Sequence, residues 1–162
     1  MKTTKALVAA GCFWGVQYYF DQVPGVIRTT VGYTGGRVPN PTYDAVCTGR
    51  TGHAEAVLIE FDPAKVSYAT LLAHFFRIHD PTQRNRQGPD IGTEYRGAIF
   101  YETAEQQATA LAERNKAQLL LGEPIVTEIV AAGPFYEAEP YHQKFSERTG
   151  IGMCHVPYEP IK

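Results

Sequence analysis

Apolar residues along this chain switch between strand spacing and helix spacing in a fixed order, and that order most limits what it can fold into. Ala6 to Ala10 is apolar enough for a buried strand, and Val16, Tyr19 and Phe20 then share one helical face. Val23-Pro24-Gly25 marks a turn before the β-branched run Val26 to Tyr33. Arg37 to Thr51 shows neither period, is broken at Pro39 and Pro41, and reads as one long surface loop. Ala54 to Phe61 returns to strand, closed by Asp62-Pro63. Ser67 is placed to cap a helix whose apolar face is Leu71, Leu72, Phe75, Phe76 and Ile78, and Asp80-Pro81 stops it. After a second loop over Thr82 to Gly92, a strand is predicted from Thr93 to Tyr101. A long helix follows from Ala104 to Leu121, with Ala108, Leu111, Ala112 and Leu119 inward. Ile125 to Ala131 is the last clear strand, and Gly133 to Lys162 reads as coil apart from a short helical stretch near Glu139 to Glu147. This order predicts the α+β class: a two-layer α/β sandwich with a ferredoxin-like core and a long coil C-terminal tail.

At 162 residues with 44% hydrophobic content, the chain fills one core, so a single domain over 1–162 is expected. The formal net charge of -2, without a cationic run, argues against nucleic acid or an anionic membrane as partner. No apolar segment approaches the roughly 20 residues that span a bilayer, and the N-terminus turns polar too early for a signal peptide. A soluble, cytoplasmic protein is expected. No heptad or extended apolar stripe points to a partner helix, so a monomer is the default. The three cysteines, Cys12, Cys47 and Cys154, form no C-x-x-C pair and no zinc-ligand spacing.

The chemistry concentrates in Gly11-Cys12-Phe13-Trp14-Gly15, at the junction of the first strand and helix. A thiol at a helix N-terminus sees unpaired N–H groups and the positive end of the dipole, which favour thiolate. The alternative is a buried cysteine packed beside two aromatics. A nucleophilic sulfur needs a proton donor for what leaves. Glu55 opens an apolar strand, where burial would keep its carboxyl neutral, although a surface strand end would serve as well. Asp90 is equally a turn residue. Tyr43 and Tyr95 offer phenol hydroxyls or half-buried packing. His53, His79 and His142 lie in polar surroundings, and none pairs at metal-ligand spacing.

Taken together with Val31 to Gly36, Asn40-Pro41-Thr42-Tyr43, Thr51 to Glu55, His79 to Thr82 and Asn85 to Gly88, the pentapeptide closely resembles the A-type peptide methionine sulfoxide reductases over nearly the whole chain. The resemblance implies that Cys12 is the nucleophile and that Glu55, Tyr43 and Tyr95 hold the sulfoxide oxygen. It further implies that Asp90 orients bound groups and that Phe13 and Trp14 receive the methyl group. Glu55 would then protonate the oxygen while the phenols stabilise the polarised S–O bond. Cys12 would become a sulfenic acid, condense with a second thiol and be reduced by thioredoxin or another dithiol. No metal, flavin or nucleotide is implied, and one sulfoxide epimer, the S form, is the expected substrate. Cys154, in a Gly-rich tail, is the favoured resolving thiol over Cys47, although the tail is shortened or altered relative to the usual pattern. Two further departures from the family are Glu94, where Gln is usual, and Gly97, where Ser is common. Glu94 adds a charge beside the site. The competing readings are a thiol hydrolase with a His base at Cys12, a Cys12–Cys154 redox sensor without turnover, and a protein with inert thiols.

Overall fold

The computed structural model describes residues 3–151 and 158–161. Its elements are β1 (Thr4–Ala10), α1 (Phe13–Phe20), β2 (Val26–Thr34), α2 (Tyr43–Cys47), β3 (Ala54–Phe61), α3 (Tyr68–Arg77), β4 (Arg86–Gln87) and β5 (Asp90–Ile91). They continue with β6 (Gly97–Tyr101), α4 (Ala104–Gln118), β7 (Glu128–Ala131), β8 (Phe135–Glu137) and α5 (Phe145–Thr149). Six strands form one sheet in the order β7-β6-β1-β3-β2-β8, and β4 and β5 make a separate small hairpin. All neighbours in the large sheet are antiparallel except β6 and β7.

Side chains alternate across a strand, and this alternation decides where the core lies. Ala6 and Val8 of β1, Val31 and Tyr33 of β2, and Val57, Ile59 and Phe61 of β3 are all buried in one core with Val16 and Phe20 of α1 and Leu72 and Phe75 of α3. Glu55 keeps the same parity as Val57 and Ile59 and is carried into the sheet on the core side. The other face holds a smaller cluster, Leu7, Ala9, Ala54, Ala56, Ala98 and Phe100, covered in part by Ala132 and Phe135.

Helix caps follow the sequence. The Ser67 and Thr103 hydroxyls accept the N–H groups of Thr70 and Gln106 at 3.0 Å each. Burial of Leu71, Leu72, Phe75, Phe76 and Ile78 also matches the predicted face of α3.

Four expectations need correction. The Arg37 to Thr51 segment is not all loop: Thr42 caps the single turn α2, its hydroxyl accepting the Ala45 N–H at 3.2 Å. Thr93–Tyr95 is a 3-10 turn rather than strand, so β6 begins only at Gly97. The phase of α4 is set by its Thr103 cap, which turns Gln106, Ala110 and Glu113 inward. Ala108, Leu111, Ala112 and Leu119 therefore lie outward, Leu119 at 86% exposure. The tail is not coil at Phe135–Glu137, where β8 adds to β2, whereas the short helical stretch expected near Glu139 to Glu147 is met by a 3-10 turn over Pro140–His142 and by α5.

The β8 contact depends on Gly32. A Cβ at that position would stand 2.4 Å from the Tyr136 carbonyl oxygen and 2.5 Å from Phe135 Cζ, both on β8. Gly32→Ala should therefore push β8 off the sheet edge and cost roughly 1–3 kcal/mol, by the usual penalty of overpacking. A urea denaturation midpoint measures this. An unchanged midpoint would mean that β8 contributes little to the fold.

Candidate active site

Cys12 stands at the junction between β1 and α1, where the chain turns sharply at Gly11 with φ +93°. That conformation suits glycine, and a Cβ there would also meet Gln87 at 2.9 Å. The chain thus delivers the thiol to the N-cap position of α1, half-buried.

The helix N-terminus does act on the sulfur, but it does not win. Burial, and then the charge of Glu55, push the thiol up to about 12, with Asp90 adding to them. The backbone N–H groups of Trp14 and Gly15 pull the other way. The expected resting thiolate is corrected accordingly: desolvation outweighs the dipole at this cap, and the free site holds a protonated thiol.

Glu55 is 1% exposed. Its Oε1 accepts the Phe13 N–H at 3.2 Å, and its buried Oε2 has no hydrogen-bond partner among the described residues. Burial raises this carboxyl to about 8, with the Phe13 N–H opposing and Glu94 and Asp90 reinforcing the rise. The carboxyl is consequently a proton donor at neutral pH that sits beside the thiol. Glu94, the departure noted in the sequence, is itself buried on the 3-10 turn, so its charge bears on Glu55 directly.

Two phenols face the same carboxyl. Tyr43 opens α2, and Tyr95 ends the 3-10 turn; each is half-buried. Burial first, and Glu55 next, hold both hydroxyls above the ordinary phenol range. Cys47 lies one helical turn after Tyr43, exposed, and burial pushes its thiol up while the Tyr43 side chain opposes the rise. Asp90 pairs with Gln87 across the β4–β5 hairpin and reaches the site through its charge on both Cys12 and Glu55. Cys12, Glu55, Tyr43, Tyr95 and Asp90 are thus brought together.

An aromatic wall adjoins them. Phe13 is 1% exposed and belongs to the core, whereas Trp14 is half-buried and offers the accessible ring. Trp14 stacks on Phe145 with centroids 4.0 Å apart, and Tyr43 lies 4.4 Å from His142. Sequence reasoning missed the residues that hold this wall. The Trp14 indole Nε1–H donates to His142 Nδ1 at 2.9 Å, and burial lowers the His142 pKa, which keeps it neutral with its proton on Nε2. His142 is buried among rings rather than in the polar surroundings its neighbours suggested. Glu139 accepts the Tyr33 hydroxyl at 2.9 Å and the Tyr43 backbone N–H at 3.0 Å, which ties α2 to the sheet. The signal available was local only: Glu139-Pro140 starting a turn that carries His142.

The other described histidines are engaged elsewhere. His53 bonds Gly36 and Val38, His74 bonds the Tyr19 hydroxyl, and His79 bonds the Phe75 carbonyl. A hydrolase base at Cys12 gains no support from them. Cys154 lies outside the described residues.

The geometry is a thiol, a neutral buried carboxyl and two hydroxyls around one point, suited to protonating and stripping a polar oxygen. Residues 4–162 match the family model described as peptide methionine sulfoxide reductase. The chain belongs to this family. It is 55% identical to a peptide methionine sulfoxide reductase of Methanosarcina acetivorans, over 91% of this chain and 79% of the relative. It is 51% identical to one of Acidobacterium capsulatum, over 94% and 99%. Among solved structures, Mxr1 of Saccharomyces cerevisiae in reduced form superposes with a TM-score of 0.88 at 33% identity, over 97% of this chain and 92% of that one. Methionine sulfoxide reductase A of Corynebacterium diphtheriae gives 0.84 at 35%, over 99% and 81%. The protein is accordingly a peptide methionine sulfoxide reductase, with the mixed α/β fold of that family. No described helix is long and apolar enough to cross a membrane.

Proposed function

We propose that this enzyme reduces the S epimer of methionine sulfoxide, free or within proteins, through a Cys12 sulfenic acid that Cys154 resolves and thioredoxin reduces. The observation that carries the chemistry is Glu55: a buried carboxyl raised to about 8, with one oxygen unbonded among the described residues, beside the thiol. In this reading the sulfoxide oxygen accepts the Glu55 proton and the Tyr43 and Tyr95 hydroxyls. The Cys12 sulfur attacks the substrate sulfur, and the thiol proton returns to the Glu55 carboxylate. Oxygen passes to Cys12 as the sulfenic acid and methionine leaves, so the step is a two-electron oxidation of the thiol against reduction of the sulfoxide. Because Glu55 starts out protonated, its charge is absent from beside the thiol until it has given its proton to the substrate, and the carboxylate it then becomes is the acceptor for the thiol proton.

Trp14, backed by Phe13, receives the substrate methyl group, and Asp90 orients bound groups. The second thiol condenses with the sulfenic acid, releasing water and leaving a disulfide for thiol exchange. Described residues on both sides of the Cys154 segment pack toward α1, which favours that thiol. Phe145 of α5 stacks on Trp14, and Tyr158 packs on Tyr19. Thioredoxin as reductant is supported by the yeast Mxr1, which has been solved in complex with Trx2. We read the chain as a single catalytic domain over 1–162 with the resolving cysteine in the tail from about 133. The order β6-β1-β3-β2, with α1 and α3 as crossovers, supports the ferredoxin-like core. A monomeric, cytoplasmic repair enzyme with no bound cofactor completes the reading.

The direct experiment supplies S- and R-sulfoxide peptides with dithiothreitol and with thioredoxin. Reduction of the S epimer alone is expected, and Cys154→Ser should retain dithiothreitol turnover while stalling with thioredoxin. Equal use of both epimers, or thioredoxin turnover in Cys154→Ser, would overturn those respective parts. The pH dependence follows from Glu55 in its acid form. Activity should be present below about 8 and fall as pH rises through that value, because the carboxyl then ionises. A rate flat from pH 6 to 9, roughly the window in which such a donor titrates, would remove Glu55 as the acid.

A further inference from the structure

A cleft of about 630 Å³ is lined by Arg37, Gly49, Arg50, Asn85, Arg96 and Glu128 among others, and shares none of its lining residues with the Cys12–Glu55 site. None of these residues has a part in the chemistry above. The cleft is built from the same connections that carry the site. Gly35 and Arg37 follow β2 just beyond Tyr33, and Arg50 and Gly52 lie between Tyr43 and Glu55. Thr93, also on the cleft wall, opens the turn that ends in Tyr95.

Its charge is unbalanced. Arg96 is pinned: its Nε donates to Glu128 Oε1 at 3.0 Å and its Nη1 to the Thr93 carbonyl at 2.9 Å. Its Nη2 rests against Gly35, where a Cβ would come within 2.9 Å, and makes no hydrogen bond among the described residues. The Arg96 side chain is only 12% exposed, so this guanidinium is held in place before any ligand arrives. Arg37 and Arg50 are exposed, and among the described residues their guanidinium groups have neither hydrogen bond nor ion pair. Three guanidinium groups thus face one carboxylate, in a chain whose net charge is -2. Fixed and free guanidinium forks of this kind match a carboxylate, which accepts two parallel N–H donors.

We propose, on the reductase reading above, that this cleft is a substrate subsite that binds a carboxylate near the methionine sulfoxide. The enzyme then prefers oxidised methionines flanked by acidic groups. The carboxylate comes either from an Asp or Glu side chain within a few residues of the sulfoxide or from the terminal carboxylate of a substrate ending in the oxidised residue. Both present the same two oxygens to the same donors.

The test compares three S-sulfoxide peptides with dithiothreitol as reductant, which leaves protein reductants out. One is blocked at both ends and carries Glu next to the sulfoxide, one is its Gln counterpart, and one is the Gln sequence ending in the sulfoxide residue with a free carboxylate. At low ionic strength kcat/KM should favour one or both carboxylate peptides over the blocked Gln peptide by about fivefold, the scale of an exposed charge pair, and high salt should shrink the gap. Preference for the Glu peptide identifies side chains as the source, and preference for the free terminus identifies the main chain. The double variant Arg37→Gln with Arg50→Gln should erase the preference while leaving the blocked Gln peptide's rate unchanged. Equal rates for all three peptides in the wild type, or a preference that survives the double substitution, would overturn the subsite. If no peptide is reduced at all, the reductase reading fails and the subsite falls with it.

Discussion

Cys12→Ser is expected to abolish sulfoxide reduction with either reductant while leaving the protein folded. A hydroxyl is far less acidic and less polarisable than a thiol and has no oxidised state equivalent to the sulfenic acid, so it can accept no oxygen from the substrate. Position 12 is the N-cap of α1 and currently makes no side-chain capping bond. Serine is among the best N-cap residues, so thermal stability should hold or rise slightly. Activity assays and a melting curve on the same sample separate the two effects. Turnover in Cys12→Ser, which could only come from Cys47 or Cys154, would show that another thiol is the nucleophile.

Glu55→Gln is expected to lower kcat/KM by roughly a hundred- to ten-thousandfold, the range that general acids contribute. Gln keeps the volume and can still accept the Phe13 N–H, so the loss reports the missing proton. The same substitution should stabilise the fold at neutral and alkaline pH. Folding raises the Glu55 pKa from 4.5 to about 8, so the folded state prefers the protonated acid. Its contribution is fully present below the unfolded value and is lost as pH rises through the folded value. Gln does not titrate, and the variant's advantage should therefore be absent near pH 4 and grow to a few kcal/mol by about pH 8. Denaturation midpoints at the two pH values measure this. A variant less stable than wild type at pH 8 would mean that Glu55 is not held neutral by burial.

Much of this was legible because local spacing carries it. Ala54 to Phe61 reads as a strand from its apolar residues, and the structure decides between the buried and surface readings of Glu55 by giving it the core-facing parity of Val57 and Ile59. Ser67 and Thr103 announce their helices because a hydroxyl at the cap satisfies a specific N–H. The leucines near the end of α4 suggest an inward stripe that the helix does not form. In the structure Gln106 anchors the helix instead, donating from its amide to the Lys5 carbonyl at 2.9 Å, and Leu119 and Leu120 face outward. The resting state of Cys12 is not legible either, since a sequence shows the helix terminus but not the burial that opposes it. Contacts such as Trp14 with His142 and Tyr43 with Glu139 join segments about a hundred residues or more apart, and no local pattern encodes them. The arginine cleft is similar: its three arginines are scattered through three connections, and only the sheet brings them to one place.

The measurement that bears most directly on the proposed chemistry is a single turnover with substrate whose sulfoxide oxygen is isotopically labelled. It uses the Cys154→Ser variant in the absence of reductant, with a sulfenic-acid trap and mass spectrometry of the Cys12 peptide. Labelled oxygen on Cys12, in equal amount to the methionine released, is the expected result. Methionine formed while Cys12 remains an unmodified thiol, or carries unlabelled oxygen, would contradict attack by this sulfur and oxygen transfer to it.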